Sequence, residues 1–468
     1  MFIGRNEEIH DLEKLYNEER SSFVVVYGRR RIGKSSLIDK FCSNKSSMRF
    51  EGIEGEHSAE QITQFQRDLK KQVDDKFLKQ MNFSKWEDIF DYMTVQIKKS
   101  EKKLVLFFDE FQWMAASQSK LVSLLKKVWD NDWKKTQKVM LVLCGSVAPF
   151  MIRKVIKSNA LYGRIDYELC LKGLGPKDVK KLIGGSRSIY EIFKYILILG
   201  GVPRYIEIIN SKKSFEQNIQ NLFFKSNSLL LSEYEKIFYS QFREHKNYEK
   251  IVKYLSNTPR NLQEISKHLK MESSGGVKSY LDNLEKALFV TSYVPYDRPD
   301  NSKLKKYKLS DEYIRFYLKY VYPNQKKIQS APRNQSLFKT LVKDQWDSWL
   351  GFAFENFCLK NAYLLARKMG FADQVKNYGP FFSKGSKDFQ IDLVFERFDN
   401  VITVCEMKYY NKKITTGVIA EVEKKLELLN IKKGMTVEKA LISQFGADEK
   451  LAYSDYFHHY LTIEQIME

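Results

Sequence analysis

The chain has 468 residues, 43% hydrophobic and 29% charged, a globular balance that excludes a disordered or fibrous protein and allows roughly two to four domains. No apolar run reaches the ~20 residues that span a bilayer, and the opening Met1-Phe2-Ile3-Gly4-Arg5 carries no secretory apolar stretch, so a cytoplasmic protein is expected. A net charge of +20 points to a polyanionic partner, nucleic acid above all, against the plainer alternative of a Lys-rich solvated surface.

The five cysteines (Cys42, Cys144, Cys170, Cys358 and Cys405) are dispersed, mostly in apolar stretches. That spacing fits neither a disulfide framework nor a zinc site and predicts buried free thiols. In chain order, the first strong element is the β-branched run Phe23-Val-Val-Val-Tyr27, followed by Gly28-Arg29-Arg30-Arg31-Ile32-Gly33-Lys34-Ser35-Ser36 and a helix-like Leu37-Ile38. Strand, Gly-rich loop and helix are the context that a phosphate-binding G-x-x-x-x-G-K-S match requires. Gly28 and Gly33 let backbone N–H groups close on phosphate oxygens without a Cβ in the way. Lys34 reaches the β- and γ-phosphates, Ser35 is a Mg²⁺ ligand, and the helix presents its positive end to the anion.

A second apolar run, Leu104-Val-Leu-Phe-Phe108, ends in Asp109-Glu110. After a phosphate loop, this pair reads as a metal carboxylate (Asp109) and a water-polarising carboxylate (Glu110). A third strand, Val139 to Cys144, ends in Gly145-Ser146, where Ser146 either senses the γ-phosphate or lies in a simple turn. Next, Leu161-Tyr162-Gly163-Arg164 precedes an apolar alternation from Ile165 to Leu171. Arg164 is either a finger toward a neighbouring subunit's phosphate or an ordinary surface residue.

Together with Phe2-Ile3-Gly4-Arg5-Asn6-Glu7-Glu8 and Gly200-Gly201-Val202-Pro203-Arg204-Tyr205, these segments resemble the archaeal-type ATPases of the AAA+/STAND part of the P-loop world, over the first ~230 residues. The resemblance implies that Ile3, Gly4 and Arg5 line an adenine pocket, that Pro203 lies in a lid against the base or ribose, and that Arg164 is the finger. It also implies ATP and Mg²⁺ as cofactors and a homo-oligomer. Nothing here resembles an Asn-Lys-x-Asp guanine reader.

Residues 247 to 320 predict a winged helix. Ile251-Val-Lys-Tyr-Leu255 starts it, Asn261 caps a helix at Leu262 to Leu269, and Ser273-Ser274 precede a third helix from Val277 to Leu288. Val290 to Val294 and Lys305 to Leu309 supply the wing strands. The third helix offers few base-reading side chains (Ser273, Ser274, Lys278, Ser279, Asp282, Asn283), so non-specific DNA contact, with Lys278, Lys303, Lys305 and Lys306 on phosphates, or plain scaffolding outranks sequence readout.

Beyond Pro332, an aromatic-rich helix around Trp346 to Phe357 carries Glu355. The strand-like Phe389 to Phe395 carries Asp392, and after a turn at Asp399-Asn400 the strand Val401 to Lys408 carries Glu406 and Lys408 on one face. An antiparallel return brings Asp392 beside them. Asp392 and Glu406 around a divalent metal, with Lys408 on the attacking water and Glu355 ligating or positioning, suit phosphodiester hydrolysis, while a cross-strand ion pair is the plainer alternative. The spacing resembles the PD-(D/E)XK restriction-endonuclease-like family over residues ~340 to 445, and Val418 to Leu429 matches the helix expected after the core strands.

The expected architecture is therefore α/β: a parallel P-loop NTPase core (1–175), a helical lid (176–240), a winged helix (241–325) and an α/β nuclease-like domain (326–468). The expected function is an ATPase acting on DNA, its nucleotide state controlling DNA binding or Mg²⁺-dependent cleavage. The alternative is a STAND-like switch that assembles with protein partners and whose C-terminal domain only binds.

Overall fold

The computed structural model describes residues 2–115, 120–185, 187–242, 245–271, 275–299, 301–332, 335–386, 390–429, 431 and 433–468. The chain divides into two compact units, Met1–Gly173 and Leu174–Glu468.

In the first unit, β1 (Ser22–Tyr27), β2 (Ser47–Glu51), β3 (Leu104–Asp109), β4 (Val139–Gly145) and β5 (Tyr167–Cys170) form one parallel sheet in the order β2-β3-β4-β1-β5. The central strands are unbroken apolar runs because both faces of a parallel sheet are covered by its crossover helices. Every residue of β3 and β4 is buried. The carboxyl ends of β1, β3 and β4 therefore meet at one rim, which is where ligands bind in open parallel sheets.

Helix α1 (Asn6–Asn17) precedes β1, α2 (Lys34–Cys42) follows it, and α3 (Ser58–Gln72) follows β2. Strand β2 lies at the sheet's edge and was not evident in the sequence. An edge strand exposes unpaired peptide groups, and Gln72 covers them: its Oε1 accepts from the Arg49 N–H at 2.7 Å and its Nε2 donates to the Arg49 carbonyl at 2.8 Å. Beneath, Phe65 stacks on Phe50 (centroids 3.8 Å apart, planes at 4°) and meets Phe108 and Trp86 edge-on at 5.4 and 5.3 Å.

The second unit begins with helices Pro176–Ile183, Ile189–Leu199, Pro203–Glu207, Phe215–Phe223 and Glu233–Gln241. Helix His245–Tyr254, β6 (Arg260–Asn261), helices Leu262–Leu269 and Gly275–Lys286, then β7 (Val290–Tyr293) and β8 (Lys306–Leu309) follow, with an antiparallel sheet in the order β6-β8-β7. Asn261 caps its helix as expected: Asn261 Oδ1 accepts the Glu264 N–H at 2.9 Å, and Glu264 Oε2 accepts the Asn261 N–H at 2.8 Å. Ser273, Ser274 and Phe389 lie outside the described residues.

After helix Trp346–Lys360 comes a second five-stranded sheet of β9 (Val375–Phe381), β10 (Ile391–Arg397), β11 (Val401–Lys408), β12 (Thr436–Ser443) and β13 (His459–Thr462), in the order β13-β12-β11-β10-β9. Strands β9, β10 and β11 run antiparallel, whereas β11, β12 and β13 run parallel with helix Val418–Leu426 between β11 and β12. The segment joining β7 to β8 docks on β9, the outer strand. The Tyr296 N–H donates to the Pro380 carbonyl at 3.1 Å, and Asn377 Nδ2 donates to the Tyr296 carbonyl at 2.8 Å.

Among the described residues no helix is long and apolar enough to cross a membrane. All five cysteines are free, with Cys144, Cys358 and Cys405 buried.

Phe65 joins the edge strand to the core, so Phe65→Ala should cost about 3–5 kcal/mol, the usual cost of emptying a buried aromatic site. A lower denaturant midpoint for the first unit, with the transition slope unchanged, is the expected result. An unshifted midpoint would mean that β2 is held by its hydrogen bonds alone.

Candidate functional site

The rim of the first sheet collects the residues of the phosphate-loop reading. Gly28 leaves β1 where a Cβ would lie 2.5 Å from the carbonyl oxygen of Leu171, the residue after β5, whose backbone excludes a side chain there. Gly33, at φ 89°, turns the chain into α2 in a left-handed conformation that suits glycine. No side chain caps α2, so its first N–H groups are left for an anion. Lys34 is buried, with Nζ donating to the Arg29 carbonyl at 3.1 Å. Ser35 is half-buried and Ser36 exposed at the first turn. Of the arginine triple, Arg29 is buried, Arg31 half-buried in a left-handed conformation at φ 67°, and Arg30 exposed. Ile32 is buried.

Arg5 is committed to backbone. It is buried, and Nη2 donates to the carbonyls of Ile32 (3.2 Å) and Lys172 (2.6 Å) while Nη1 pairs with Glu8 at 3.0 Å. It thereby holds the start of α1 to the phosphate loop. Gly4 (φ 72°) supplies the turn before it, and Ile3 is half-buried beside it.

Asp109 ends β3 with its side chain 3% exposed. Its Oδ1 accepts the Glu110 N–H at 3.0 Å, and its Oδ2 accepts from Arg49 Nη2 at 2.8 Å. Burial and the nearby Asp109 charge push the Cys144 thiol well above its ordinary value. Glu110 sits at φ 46°, a conformation costly for a side-chain-bearing residue and concentrated at functional sites. Its Oε2 accepts from the Ser146 hydroxyl at 2.7 Å and from the Gln112 amide, which also donates to Ser146 Oγ at 3.2 Å. The tip of the third strand thus reaches the expected water-polarising carboxylate directly. The residues suit Mg²⁺–nucleotide: an uncapped helix end, a buried ammonium, a hydroxyl and a buried carboxylate converge on one rim.

Arg49, Gln112 and Asp39 were not singled out in the sequence. A charged residue inside the short alternation Ser47-Met-Arg-Phe-Glu51 is the signal that marks an edge strand, and it was available. Arg164 is engaged within its own chain, with Nε and Nη2 donating to the two carboxylate oxygens of Asp130 at 2.8 Å each. That pair holds the Asp130 carboxyl below its ordinary value. Pro203 opens helix Pro203–Glu207 in the second unit. The preceding Gly201 accepts the Leu174 N–H on its carbonyl at 2.7 Å, and the two backbones lie so close that a Cβ on Gly201 would sit 2.1 Å from the Leu174 carbonyl oxygen.

In the second unit, Leu393 pairs with Cys405 across β10 and β11, so Asp392 stands opposite Glu406 one step on. Glu406 is buried between two ammonium groups: Lys408 Nζ lies 3.0 Å from Oε1 and Lys425 Nζ 2.7 Å from Oε2. Burial opposes the Lys408 charge, but Glu421 (2.5 Å) and Glu406 outweigh it and hold the ammonium above its ordinary range. Burial and the charge of Asp392 push the Glu355 carboxyl up to about 7, against the opposing pull of Lys308 and Lys425. The constellation Glu355, Asp392, Glu406 and Lys408 is therefore local, yet Lys425 completes it as a cation. Among the described residues no group of three or more His, Cys, Asp or Glu is arranged to hold a metal. As arranged, this site does not fit a divalent ion, because both Glu406 oxygens are in ion pairs. Lys306, expected on DNA phosphate, is instead buried over the Phe382 ring and donates to the Ser386 carbonyl at 2.5 Å.

Residues 2–209 match the family model of an ATPase domain predominantly from Archaea, and residues 317–419 match a family of Archaea bacterial proteins of unknown function. The uncharacterised protein MJECL04 of Methanocaldococcus jannaschii is 28% identical over 362 residues, which is 76% of each chain. The uncharacterised ATP-binding protein MJ0423 of the same organism is 47% identical over 49 residues, 10% of this chain and 83% of its own. The Walker-type ATPase paby2304 of Pyrococcus abyssi is similar in fold, with a TM-score of 0.52 at 19% identity over 68% of this chain and 96% of that one.

Glu355 binds its proton more tightly folded (about 7) than its ordinary 4.5, so its contribution to stability is full below pH 4.5 and is lost as pH rises through 7. Glu355→Gln, which keeps the neutral form, should match wild type near pH 4.5 and exceed it by about 1–3 kcal/mol at pH 8, measured by thermal unfolding in chelator. A pH-independent difference would place Glu355 in contact with water.

Proposed function

We propose that this chain, whose residues 2–209 match the model of an ATPase domain predominantly from Archaea, hydrolyses ATP at the β1 loop and uses nucleotide state to control engagement of DNA by its second unit. The observation that carries the hydrolytic part is the Ser146–Glu110 contact at 2.7 Å. It ties the tip of β4 to the carboxylate that would orient water, on the same rim as Lys34 and Asp109. Backbone N–H groups of the loop and of the first turn of α2 bind the phosphate oxygens. Lys34 exchanges the Arg29 carbonyl for phosphate. Ser35 and Asp109 would hold Mg²⁺, which neutralises developing charge on the phosphate oxygens when bound. Glu110 accepts a hydrogen bond from the attacking water, and Ser146 and Gln112 orient Glu110.

Three observations support DNA as the partner. The +20 charge suits a phosphate backbone. The order helix, strand, helix, helix, hairpin over residues 245–309 supports a winged-helix reading. The β10–β11 carboxylate and lysine set, with helix Trp346–Lys360 before it, supports a restriction-endonuclease-like reading. Because the hairpin segment is docked on β9 and Lys306 is buried, DNA contact falls to the helix Gly275–Lys286 and neighbouring lysines. The saturation of Glu406 by Lys408 and Lys425 favours a C-terminal domain that binds over one that cuts. A trans-acting role for Arg164 in a homo-oligomer requires its Asp130 pair to open. The second reading, a switch that assembles with protein partners, is favoured by that same saturation and predicts assembly with ATP but no DNA affinity.

The test combines ATP hydrolysis, DNA binding, and Mg²⁺- or Mn²⁺-dependent cleavage of plasmid, linear and single-stranded DNA. Lys34→Ala and Ser146→Ala should each lower the hydrolysis rate, by about 10²–10³-fold and about tenfold or more respectively. Lys34→Ala should also abolish the nucleotide response of DNA binding. DNA affinity indifferent to ATP would sink the coupling. Cleavage that disappears in Asp392→Ala would establish a nuclease.

A further inference from the structure

We propose that Arg49 is the built-in counter-cation of the ATPase site, holding Asp109 in the metal-free state and setting the Mg²⁺ concentration at which nucleotide binds. The inference rests on the nucleotide-site reading above.

Position comes first. Arg49 lies on β2 in register with Phe107, and the side chain of Gln72 grips its peptide on both sides. Its guanidinium lies 5.3 Å from the Phe107 ring centroid. Nη2 reaches Asp109 Oδ2 at 2.8 Å and Glu51 Oε2 at 3.5 Å, and Nη1 reaches Asp39 Oδ1 and Oδ2 at 3.1 and 2.9 Å. Asp39 is on α2, four residues after Ser35, and so one turn further along the same helix face. A single planar cation therefore ties the helix of the phosphate loop to the carboxylate expected to hold the metal.

Chemistry decides what that cation does. A carboxylate buried at the end of an apolar strand needs a compensating charge. Asp109 Oδ1 already accepts a peptide N–H, so Arg49 supplies the charge on Oδ2. Guanidinium cannot shed its proton, so the charge is permanent. Asp109 is 3% exposed, whereas Arg49 is 39%, Asp39 49% and Glu51 61% exposed. Arg49 can therefore release Asp109 toward Asp39 and Glu51 without becoming an isolated charge. Mg²⁺ held at Asp109 would draw on the same carboxylate charge that the guanidinium now compensates, and the apparent Mg²⁺ affinity would carry the cost of that exchange.

The experiment titrates Mg²⁺ against binding of a non-hydrolysable ATP analogue to the full chain, with thermal unfolding recorded in chelator and in Mg²⁺. Arg49→Ala should lower the Mg²⁺ midpoint about fivefold, the scale of a half-exposed ion pair. It should also lower the unfolding temperature in chelator and recover more of it on adding Mg²⁺ than wild type does. Arg49→Lys, whose compact ammonium cannot form the planar fork, should lower the midpoint less. Asp39→Asn removes the outer anchor, leaves Arg49 to Asp109, and should raise the midpoint. The shifts should persist at raised ionic strength, because a contact pair is screened far less than a diffuse surface field. An unchanged midpoint in Arg49→Lys and Asp39→Asn, with analogue binding intact, overturns the proposal even if Arg49→Ala does not fold. Failure of wild type to bind the analogue at any Mg²⁺ concentration instead overturns the nucleotide-site reading.

Discussion

A carboxylate at the inner end of an entirely buried strand is the constraint around which the first unit is organised. Every residue of β3 is buried, and Asp109 closes it. A negative charge in such surroundings destabilises the fold unless another group compensates it. The sheet order answers this by placing β2, a short edge strand with one arginine, directly beside β3. The edge position matters, because it lets the guanidinium reach solvent-facing Asp39 and Glu51 while touching a carboxylate that solvent barely reaches. Gln72 and the Phe50–Phe65 stack then hold β2 in place from the backbone and from the core.

The same physical solution recurs in the second unit. Glu406 is buried at the end of β11 and is neutralised by Lys408 from its own strand and Lys425 from the following helix. In both units the carboxylate with chemical potential is stabilised by a side-chain cation of this chain. The consequences differ because the surroundings do. Arg49 is one cation shared among three carboxylates, Asp109, Asp39 and Glu51. Glu406 is one carboxylate shared between two cations, with Lys408 further anchored by Glu421.

Much of this architecture was legible in the sequence, for local reasons. The phosphate loop needs glycine at two places and a lysine and serine at fixed offsets, so backbone geometry imposes a pattern on adjacent residues. The apolar runs of β1, β3 and β4 follow from burial on both faces of a parallel sheet. The Asn261–Glu264 capping box is equally local, since both hydrogen bonds lie within three residues. The β10–β11 pairing was readable because a short turn forces an antiparallel return, which sets Asp392 opposite Glu406.

What escaped the sequence was decided between distant elements. Arg5 was expected beside a base, and its bonds to the carbonyls of Ile32 and Lys172 were not readable from its segment. Ser146 was divided between sensor and turn, and the order of β3, β4 and β1 is what sets its hydroxyl against Glu110. By itself, then, the sequence determined the ATPase fold and its phosphate loop, because those depend on residues that are neighbours in the chain. Only the tertiary structure decided which cation sits on which carboxylate. Arg49 meets Asp109 across 60 positions and Lys425 meets Glu406 across 19, and nothing in either segment alone specifies the partner. An ion pair is a property of two surfaces brought together by the sheet, with the desolvation that makes it matter.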